Sequence, residues 1–174
     1  MPERDTLEAA NEAYADSFTH GDLPMPPGRK LAVVTCMDAR LDPAKFLGLE
    51  DGDAHVIRNA GGLVTDDALR SLCISHWLLG TQEVLVIAHT DCGMLTFTND
   101  DLRGKLRDEA GADASDVDFH PFPDLEESVR GSIRAIRESQ LCPDSLAVSG
   151  WIYDVKSGRL AEVEEVAEVV ETGR

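Results

Sequence analysis

The sequence predicts an α/β fold in which a mainly parallel central β-sheet is flanked by helices. Three short runs rich in apolar and β-branched residues alternate with segments of helical periodicity, and each run ends in polar or glycine-rich residues. Such runs are typical of strands buried on both faces of a parallel sheet. With 174 residues the chain can bury one substantial core, so we expect a single domain over residues 1–174.

Residues 1–28 are predicted to form an N-terminal helical arm followed by a proline-rich link. Residues 3–18 have the composition of an acidic helix, which His20 and Gly21 terminate. The link at 23–28 cannot continue a helix or enter a central strand, because proline fixes φ and lacks a backbone N–H. We expect the arm either to pack on a partner subunit or to fold back onto its own domain.

The remaining elements follow in chain order. We predict strands at 31–35, 54–57, 83–88 and 146–153, helices at 66–79 and 124–139, and a last extended segment at 159–163. Apolar residues with helical spacing define both helices, and Gly80 ends the first. A strand, a helix and a strand in this order imply a right-handed parallel crossover. Before the second helix we expect a loop that contains Gly111, Pro121 and Pro123, and residues 164–174 have the composition of an acidic tail.

Composition excludes several classes of partner. The chain has 33 acidic and 16 basic residues and a formal net charge of −17, so we expect neither nucleic acid nor an anionic membrane to bind it. Its longest strictly apolar stretch, at 84–88, is far below the roughly 20 residues of a membrane-spanning helix, and its first residues lack the pattern of a signal peptide. We expect a cytoplasmic protein. An acidic surface poor in lysine also suggests adaptation to a high-salt cytoplasm.

Cysteine and histidine residues at two strand ends predict a metal site. The four cysteines of a cytoplasmic chain are expected to bind metal or to be buried rather than to form disulfides. Cys36 follows the first strand, and His89 and Cys92 follow the third. Ligands bind outside the carboxyl ends of strands in open α/β sheets. Two thiolates and one imidazole form the Cys₂His set of a catalytic zinc site whose fourth position is open to water.

Two charged residues after Cys36 predict a switch in this site. Asp38 lies close enough in sequence to act as a conditional fourth ligand, and Arg40 can compete for its carboxylate through a bidentate ion pair. When Asp38 is bound by Arg40 the metal keeps its water, and when Asp38 is on the metal the site is closed. The open form is expected to be the active one.

Four sequence blocks resemble the signatures of β-class carbonic anhydrases, particularly the short prokaryotic subclass. The blocks are CMDARL at 36–41, GDAHVIRNAG at 52–61, RSL at 70–72 and HTDCGM at 89–94. The similarity covers about 31–97 and a closing segment at 150–158. By resemblance, Cys36, His89 and Cys92 are the zinc ligands, and Asp38 with Arg40 orients the reactive hydroxide. The resemblance also implies a β-carbonic anhydrase-like fold that forms dimers or larger multiples, with active sites near the subunit interface.

The function implied by the resemblance is the reversible hydration of carbon dioxide to bicarbonate and a proton by a zinc-bound hydroxide. It implies one Zn²⁺ per chain and a homodimer or homotetramer. Many plant-like members place a glutamine upstream of the first ligand to hold bicarbonate, but no glutamine precedes Cys36 here. We therefore expect substrate contacts from backbone near Gly61, with Phe46, Leu47 and Val64 as walls of the pocket.

Two other functions fit the same residues. Hydrolases of carbonyl sulfide and carbon disulfide resemble the same subclass and keep the same metal motif. A zinc-binding regulatory protein, in which Asp38 permanently closes the site, is the third interpretation. Outside the motif, we expect Cys73 and Trp77 to belong to the helix core and His55 to be packed rather than to shuttle protons.

Overall fold

A five-stranded sheet forms the centre of the computed structural model, which describes residues 2–164. Its strands are β1 (Leu31–Cys36), β2 (Ala54–Asn59), β3 (Glu83–His89), β4 (Ala147–Tyr153) and β5 (Leu160–Glu162). The spatial order is β2-β1-β3-β4-β5. All neighbouring strands are parallel except β5, which is antiparallel to β4. The predicted α/β fold with a mainly parallel sheet is confirmed. Of the predicted acidic tail, residues 165–174 lie outside the described residues.

In the part of the chain that the structure describes, five α-helices accompany the sheet: α1 (Glu3–Ser17), α2 (Pro43–Leu47), α3 (Asp66–Trp77), α4 (Asn99–Ala110) and α5 (Leu125–Glu138). The predictions of α1, α3 and α5 are confirmed, and the predicted loop with Gly111, Pro121 and Pro123 lies between α4 and α5, whereas the sequence interpretation missed α2 and α4. No residue of α4 is buried, so it lacks the apolar stripe by which helices are recognised. Its ends are set locally by a capping box of Thr98 and Asp101 and by Gly111 in the left-handed conformation.

The core lies between the sheet and helices α3 and α5. All six residues of β1 are buried, as expected for a strand inside a parallel sheet. Helix α5 contributes Val129, Ile133 and Ile136 to the main apolar cluster. Gly150 of β4 allows this packing, because a Cβ there would lie 2.7 Å from Ile133 Cδ1. The close approach of α5 therefore depends on a glycine in the strand.

The N-terminal arm makes little contact with its own domain. Within the described part of the chain, no residue of α1 is buried. The link rejoins the domain near β2, where Gly28 N–H donates to Gly52 O at 2.8 Å and a His20 ring nitrogen lies 2.9 Å from the Asp51 carboxylate. Among residues 2–164, none of the helices has the length and apolar character that crossing a lipid bilayer requires.

One predicted core residue lies at the surface. Trp77 is 61% exposed, so the prediction that it belongs to the helix core is wrong. It occupies the last turn of α3, and its indole N–H donates to Leu141 O at 2.9 Å. Cys73 is half-buried on the same helix. His55 is packed as expected, with Nδ1 2.6 Å from the hydroxyl of Ser75.

Candidate metal centre

The register of β1 and β3 brings three sequence-predicted ligands together. The two strands are parallel neighbours with Thr35 paired to Ile87, so Cys36 and His89 emerge at the same edge of the sheet. Cys92 follows in the turn after β3. The two sulfurs and a ring nitrogen of His89 all lie within 4.8 Å of one another, and all three residues are buried. Among residues 2–164, these three side chains form the group whose geometry could hold a metal ion.

His89 presents an unpartnered nitrogen to this cluster. Its side chain is fully buried, and Nδ1 lies 2.9 Å from the Thr90 carbonyl oxygen. A carbonyl can only accept, so Nδ1 carries the proton and Nε2 has a free lone pair. Within residues 2–164, Nε2 is the buried side-chain nitrogen or oxygen that lacks a hydrogen-bond partner. A buried acceptor of this kind is costly unless a ligand satisfies it, so the residues fit a metal ion.

Hydrogen bonds make Cys36 the thiolate of the cysteine pair. The Cys92 thiol lowers the pKa of Cys36 to about 4 against the opposing effect of burial, and the backbone N–H groups of Asp38 and Gly61 contribute further. The same contact, with burial, raises the pKa of Cys92. Burial opposes protonation of His89, but the Cys36 thiolate outweighs it and raises the pKa of His89. The lowered pKa of Cys36 favours the thiolate, which is the form of cysteine that binds a metal ion.

The predicted pair of Asp38 and Arg40 is formed beside the cluster. Arg40 Nε donates to Asp38 Oδ1 at 3.0 Å, Nη2 donates to Oδ2 at 2.8 Å, and the Arg40 backbone N–H donates to Oδ1 at 2.9 Å. The hydrogen bond from the Arg40 side chain holds the pKa of Asp38 well below its usual range. Asp38 Oδ2 lies 3.7 Å from His89 Nε2. An ionised carboxylate that is bound by arginine thus lies next to the unpartnered nitrogen of His89.

Asp91 is a second carboxylate on Arg40, and the sequence interpretation missed it. Arg40 Nη1 donates to Asp91 Oδ2 at 2.7 Å, and Nη2 donates to the Asp91 carbonyl oxygen at 2.9 Å. Asp91 adopts φ 57°, a left-handed conformation that aspartate tolerates better than most residues. Its position between His89 and Cys92 was the signal that could have identified it.

Arg58, also missed, clamps the turn that follows β1. Its Nε donates to Cys36 O at 3.0 Å and its Nη2 donates to Asp38 O at 2.7 Å. Arginine presents these donors in a rigid planar fork, so one side chain fixes two successive parts of the turn. The residue lies in β2, paired with Thr35 across the strands, which is how it reaches the turn.

Two glycines after β2 shape the other side of the centre. Gly61 lines the cavity over the cluster, where a Cβ would lie 3.1 Å from Phe122 and 3.2 Å from Met94. Gly62 packs against the backbone of β1, where a Cβ would lie 2.7 Å from Cys36 N. Both have positive φ, 87° and 67°. Glycine is therefore required by conformation at both positions and by close packing at the second.

A cavity of about 480 Å³ opens over the sulfurs. Its lining residues are Cys36, Met37, Asp38, Ala39, Ala60, Gly61, Cys92, Gly93, Met94 and Phe97. The expectation that Phe46, Leu47 and Val64 form its walls is wrong. Phe46 stacks on the Tyr153 ring at 4.5 Å, Leu47 packs against a second apolar cluster, and Val64 belongs to the main core. A larger cavity of about 760 Å³, beside the start of α3, contains none of the three metal-ligating residues.

Comparison with known proteins places the chain in a family. The family model described as carbonic anhydrase matches residues 31–160. The chain is 47% identical to Beta-carbonic anhydrase 1 of Mycobacterium tuberculosis, over 94% of this chain and 99% of that protein. This chain belongs to the β-carbonic anhydrase family. The resemblance read from the four sequence blocks is thereby confirmed.

Two further relatives of this chain are named for different activities. A crystal structure of carbonic anhydrase from Streptococcus mutans superposes with a TM-score of 0.91 at 50% identity, covering 94% of this chain and 99% of that one. Carbon disulfide hydrolase of Acidithiobacillus thiooxidans is 33% identical, over 92% of this chain and 90% of that protein. Relatives of this chain are thus named for two activities, carbonic anhydrase and carbon disulfide hydrolase.

Proposed function

We propose that this chain catalyses the reversible hydration of carbon dioxide to bicarbonate and a proton, using one Zn²⁺ held by Cys36, His89 and Cys92. The observation that carries the proposal is the buried, unpartnered Nε2 of His89 facing two cysteine sulfurs beside an arginine-bound carboxylate. The near-full-length identity of 47% to Beta-carbonic anhydrase 1 supports the reaction.

The chemistry of the donors favours zinc among the biological metals. Two thiolates and an imidazole are soft to borderline ligands, which suit Zn²⁺ better than the hard cations Mg²⁺ and Ca²⁺. Three protein ligands leave a fourth position free, as in catalytic rather than structural zinc sites. Bound Zn²⁺ lowers the pKa of water to about 7 and so supplies a hydroxide nucleophile at neutral pH.

Asp38 and Arg40 prepare the site for this nucleophile. Because Arg40 keeps Asp38 ionised, the carboxylate can only accept a hydrogen bond, so it orients a hydroxyl whose lone pair must face the substrate. Arg40 uses both Asp38 oxygens, which restrains the carboxylate from ligating the metal itself. This arrangement corresponds to the open state of the predicted switch and supports catalysis over a permanently closed regulatory site.

The cavity fits a small apolar substrate. Met37, Ala39, Met94 and Phe97 give it apolar walls close to the sulfurs, while Gly61 contributes backbone. Apolar walls can contact carbon dioxide favourably, and they contain no cationic side chain that would bind the bicarbonate product too tightly. We propose Gly61 as a substrate-pocket residue on this basis.

Carbon disulfide or carbonyl sulfide is the second candidate substrate, because carbon disulfide hydrolase is also a relative at 33% identity. Purified protein should first be analysed for zinc, with about one ion per chain expected. Stopped-flow hydration of carbon dioxide and release of hydrogen sulfide from carbon disulfide and carbonyl sulfide are then measured side by side. His89→Ala is the control and should abolish both activities. Brisk sulfide release with negligible hydration would replace the proposed substrate.

We also propose that the chain forms a homodimer or homotetramer. Helix α1 has 15 residues and none of them is buried, whereas helices of this length are marginal in water without a packing partner. Leu7, Tyr14 and Phe18 of the arm are exposed, as is the outer edge of β2 within residues 2–164. A second copy can cover both surfaces. Sedimentation equilibrium tests this, and a monomer at micromolar concentration would contradict it.

We further propose a single domain that works in the cytoplasm. Within residues 2–164 none of the four cysteines forms a disulfide, as expected in a reducing compartment. One cooperative transition in calorimetry would support the single domain. Recovery of the protein from a secreted fraction of its source cells would contradict the compartment.

A further inference from the structure

Arg40 is tethered to both turns that carry the metal-ligating residues. Four of its side-chain hydrogen bonds reach two segments: Nε and Nη2 contact Asp38 in the turn after β1, and Nη1 and Nη2 contact Asp91 in the turn after β3. The guanidinium thus offers one edge to each aspartate. The hydrogen bonds to Asp91 therefore help to set the orientation of the Arg40 guanidinium toward Asp38.

We propose that Asp91 is a positioning residue that fixes the Arg40 guanidinium and thereby keeps the Asp38 carboxylate turned away from the metal position. This inference rests on the proposed function of the site. Asp91 acts through Arg40 and reaches neither the cavity lining nor the sulfurs. Asp91 therefore affects the balance between the open state, with Asp38 on Arg40, and the closed state, with Asp38 on the metal. It does not take part in the chemical step.

Because the Arg40 side chain is partly exposed to solvent, one ion pair is not enough to hold its guanidinium in place. The Arg40 side chain is 46% exposed, and a long side chain in water loses conformational entropy when it is held in one geometry. An exposed ion pair with one partner typically contributes at most about 1 kcal/mol. A guanidinium bound on two edges by two carboxylates forms a network instead, and its planar fork has little freedom left.

The competing position of Asp38 is close. Asp38 Oδ2 lies 3.7 Å from His89 Nε2, the nitrogen that faces the cluster. Asp38 is therefore within reach of the metal position whenever Arg40 releases it. Fixing Arg40 raises the free-energy cost of that release.

The Asp91 carboxylate can be removed without disturbing the turn. Its side chain is 71% exposed, so it contributes little to the core. Glycine adopts φ 57° freely, so Asp91→Gly deletes the carboxylate and leaves the backbone unstrained. Asp91→Asn keeps an oxygen that can accept from Arg40 Nη1 and removes only the charge. The pair of variants separates anchoring from electrostatics.

The test is azide binding to protein loaded with Co²⁺ in place of Zn²⁺, followed by visible absorption. Azide competes with Asp38 for the fourth position, so its Kd reports how often Asp38 occupies that position. We expect Asp91→Gly to raise the azide Kd about tenfold and to lower kcat/KM for hydration by a similar factor, as loss of one charge-assisted hydrogen bond implies. Asp91→Asn should stay within about threefold of the unaltered protein.

Two controls make the route through Asp38 testable. In an Asp38→Ala background, Asp91→Gly should leave azide affinity unchanged, because the competing carboxylate is gone. Lys30→Gly removes a charged side chain at a similar φ of 52°, at the opposite end of β1 from the site, and should change neither readout. If Asp91→Gly is unstable, Asp91→Ala serves in its place. It removes the same carboxylate, so we expect the same shift in the azide Kd.

An unchanged azide Kd in Asp91→Gly or Asp91→Ala would overturn the inference, and so would a shift that persists in the Asp38→Ala background. Failure of the proposed function has a different signature. In that case the unaltered protein binds no metal or hydrates no carbon dioxide, whatever residue stands at position 91.

Discussion

Replacing Gly62 with alanine should damage both the stability of the chain and the Cys36 side of the metal centre. A Cβ at position 62 would lie 2.7 Å from Cys36 N and 2.8 Å from the Thr35 carbonyl carbon. Both atoms belong to the backbone of the fully buried strand β1, so neither can move aside as a flexible side chain would. The φ of 67° adds strain for any residue with a Cβ.

The cost of the left-handed conformation and the cost of the steric contact can be estimated separately. A left-handed conformation costs an L-residue roughly 1–2 kcal/mol, and overpacking a core costs roughly 1–3 kcal/mol more. We expect Gly62→Ala to lower the free energy of unfolding by about 2–5 kcal/mol. Gly111→Ala is the matched control, because Gly111 has φ 64° and no atom within 4 Å of its Cβ position. It should cost only the strain, about 1–2 kcal/mol.

Urea unfolding followed by circular dichroism measures both variants, with zinc content determined on the same preparations. Gly62→Ala should lose more stability than Gly111→Ala and should also bind less zinc, because Cys36 is displaced. Equal losses of stability in the two variants, with unaltered zinc content, would refute the argument that Gly62 is fixed by contact with the Cys36 backbone.

Three further predictions follow from the same structure. Arg58→Ala should lower zinc affinity and kcat/KM by about tenfold, because the carbonyls of Cys36 and Asp38 lose their hydrogen bonds to the guanidinium. Arg58→Lys should recover little of either quantity, since an ammonium group lacks the planar pair of donors. Metal titration measures the zinc affinity and stopped-flow assays measure kcat/KM. Removing metal with a chelator should lower the melting temperature, and Zn²⁺ should restore it, in calorimetry. The pKa of Asp101 is lowered by hydrogen bonds from Thr98, so its folded-state pKa lies below that of the unfolded chain. The stability it adds should be present above about pH 4 and lost as the pH falls through the folded value, so the difference in urea midpoint between the protein and Asp101→Ala should shrink below about pH 4.

The parallel strands and the convergence of Cys36, His89 and Cys92 could be predicted because each depends on local pattern. Buried parallel strands carry continuous apolar runs, and the residues after them are placed at one edge of the sheet by topology alone. Cys36 and His89 therefore had to converge once β1 and β3 were neighbours. The pairing of Asp38 with Arg40 followed from their spacing.

The missed features depend on contacts between distant segments or on surface position. Helix α4 has no buried residue, so its sequence carries caps but no apolar stripe. Arg58 and Asp91 act through the geometry of two turns, which no single stretch of sequence displays. Trp77 follows the apolar spacing of α3 yet lies at the surface in its last turn, where its indole N–H donates to Leu141 O. The walls of the cavity come from the segments that follow β1, β2 and β3 rather than from α2.

Stopped-flow hydration of carbon dioxide during zinc reconstitution tests the central claim most directly. Metal-free protein is titrated with Zn²⁺, and activity is measured at each zinc content. We predict that activity rises in proportion to zinc and saturates at about one ion per chain, and that Cys36→Ser shows neither tight binding nor activity. Full activity without metal, or one tightly bound zinc per chain without hydration, would contradict it.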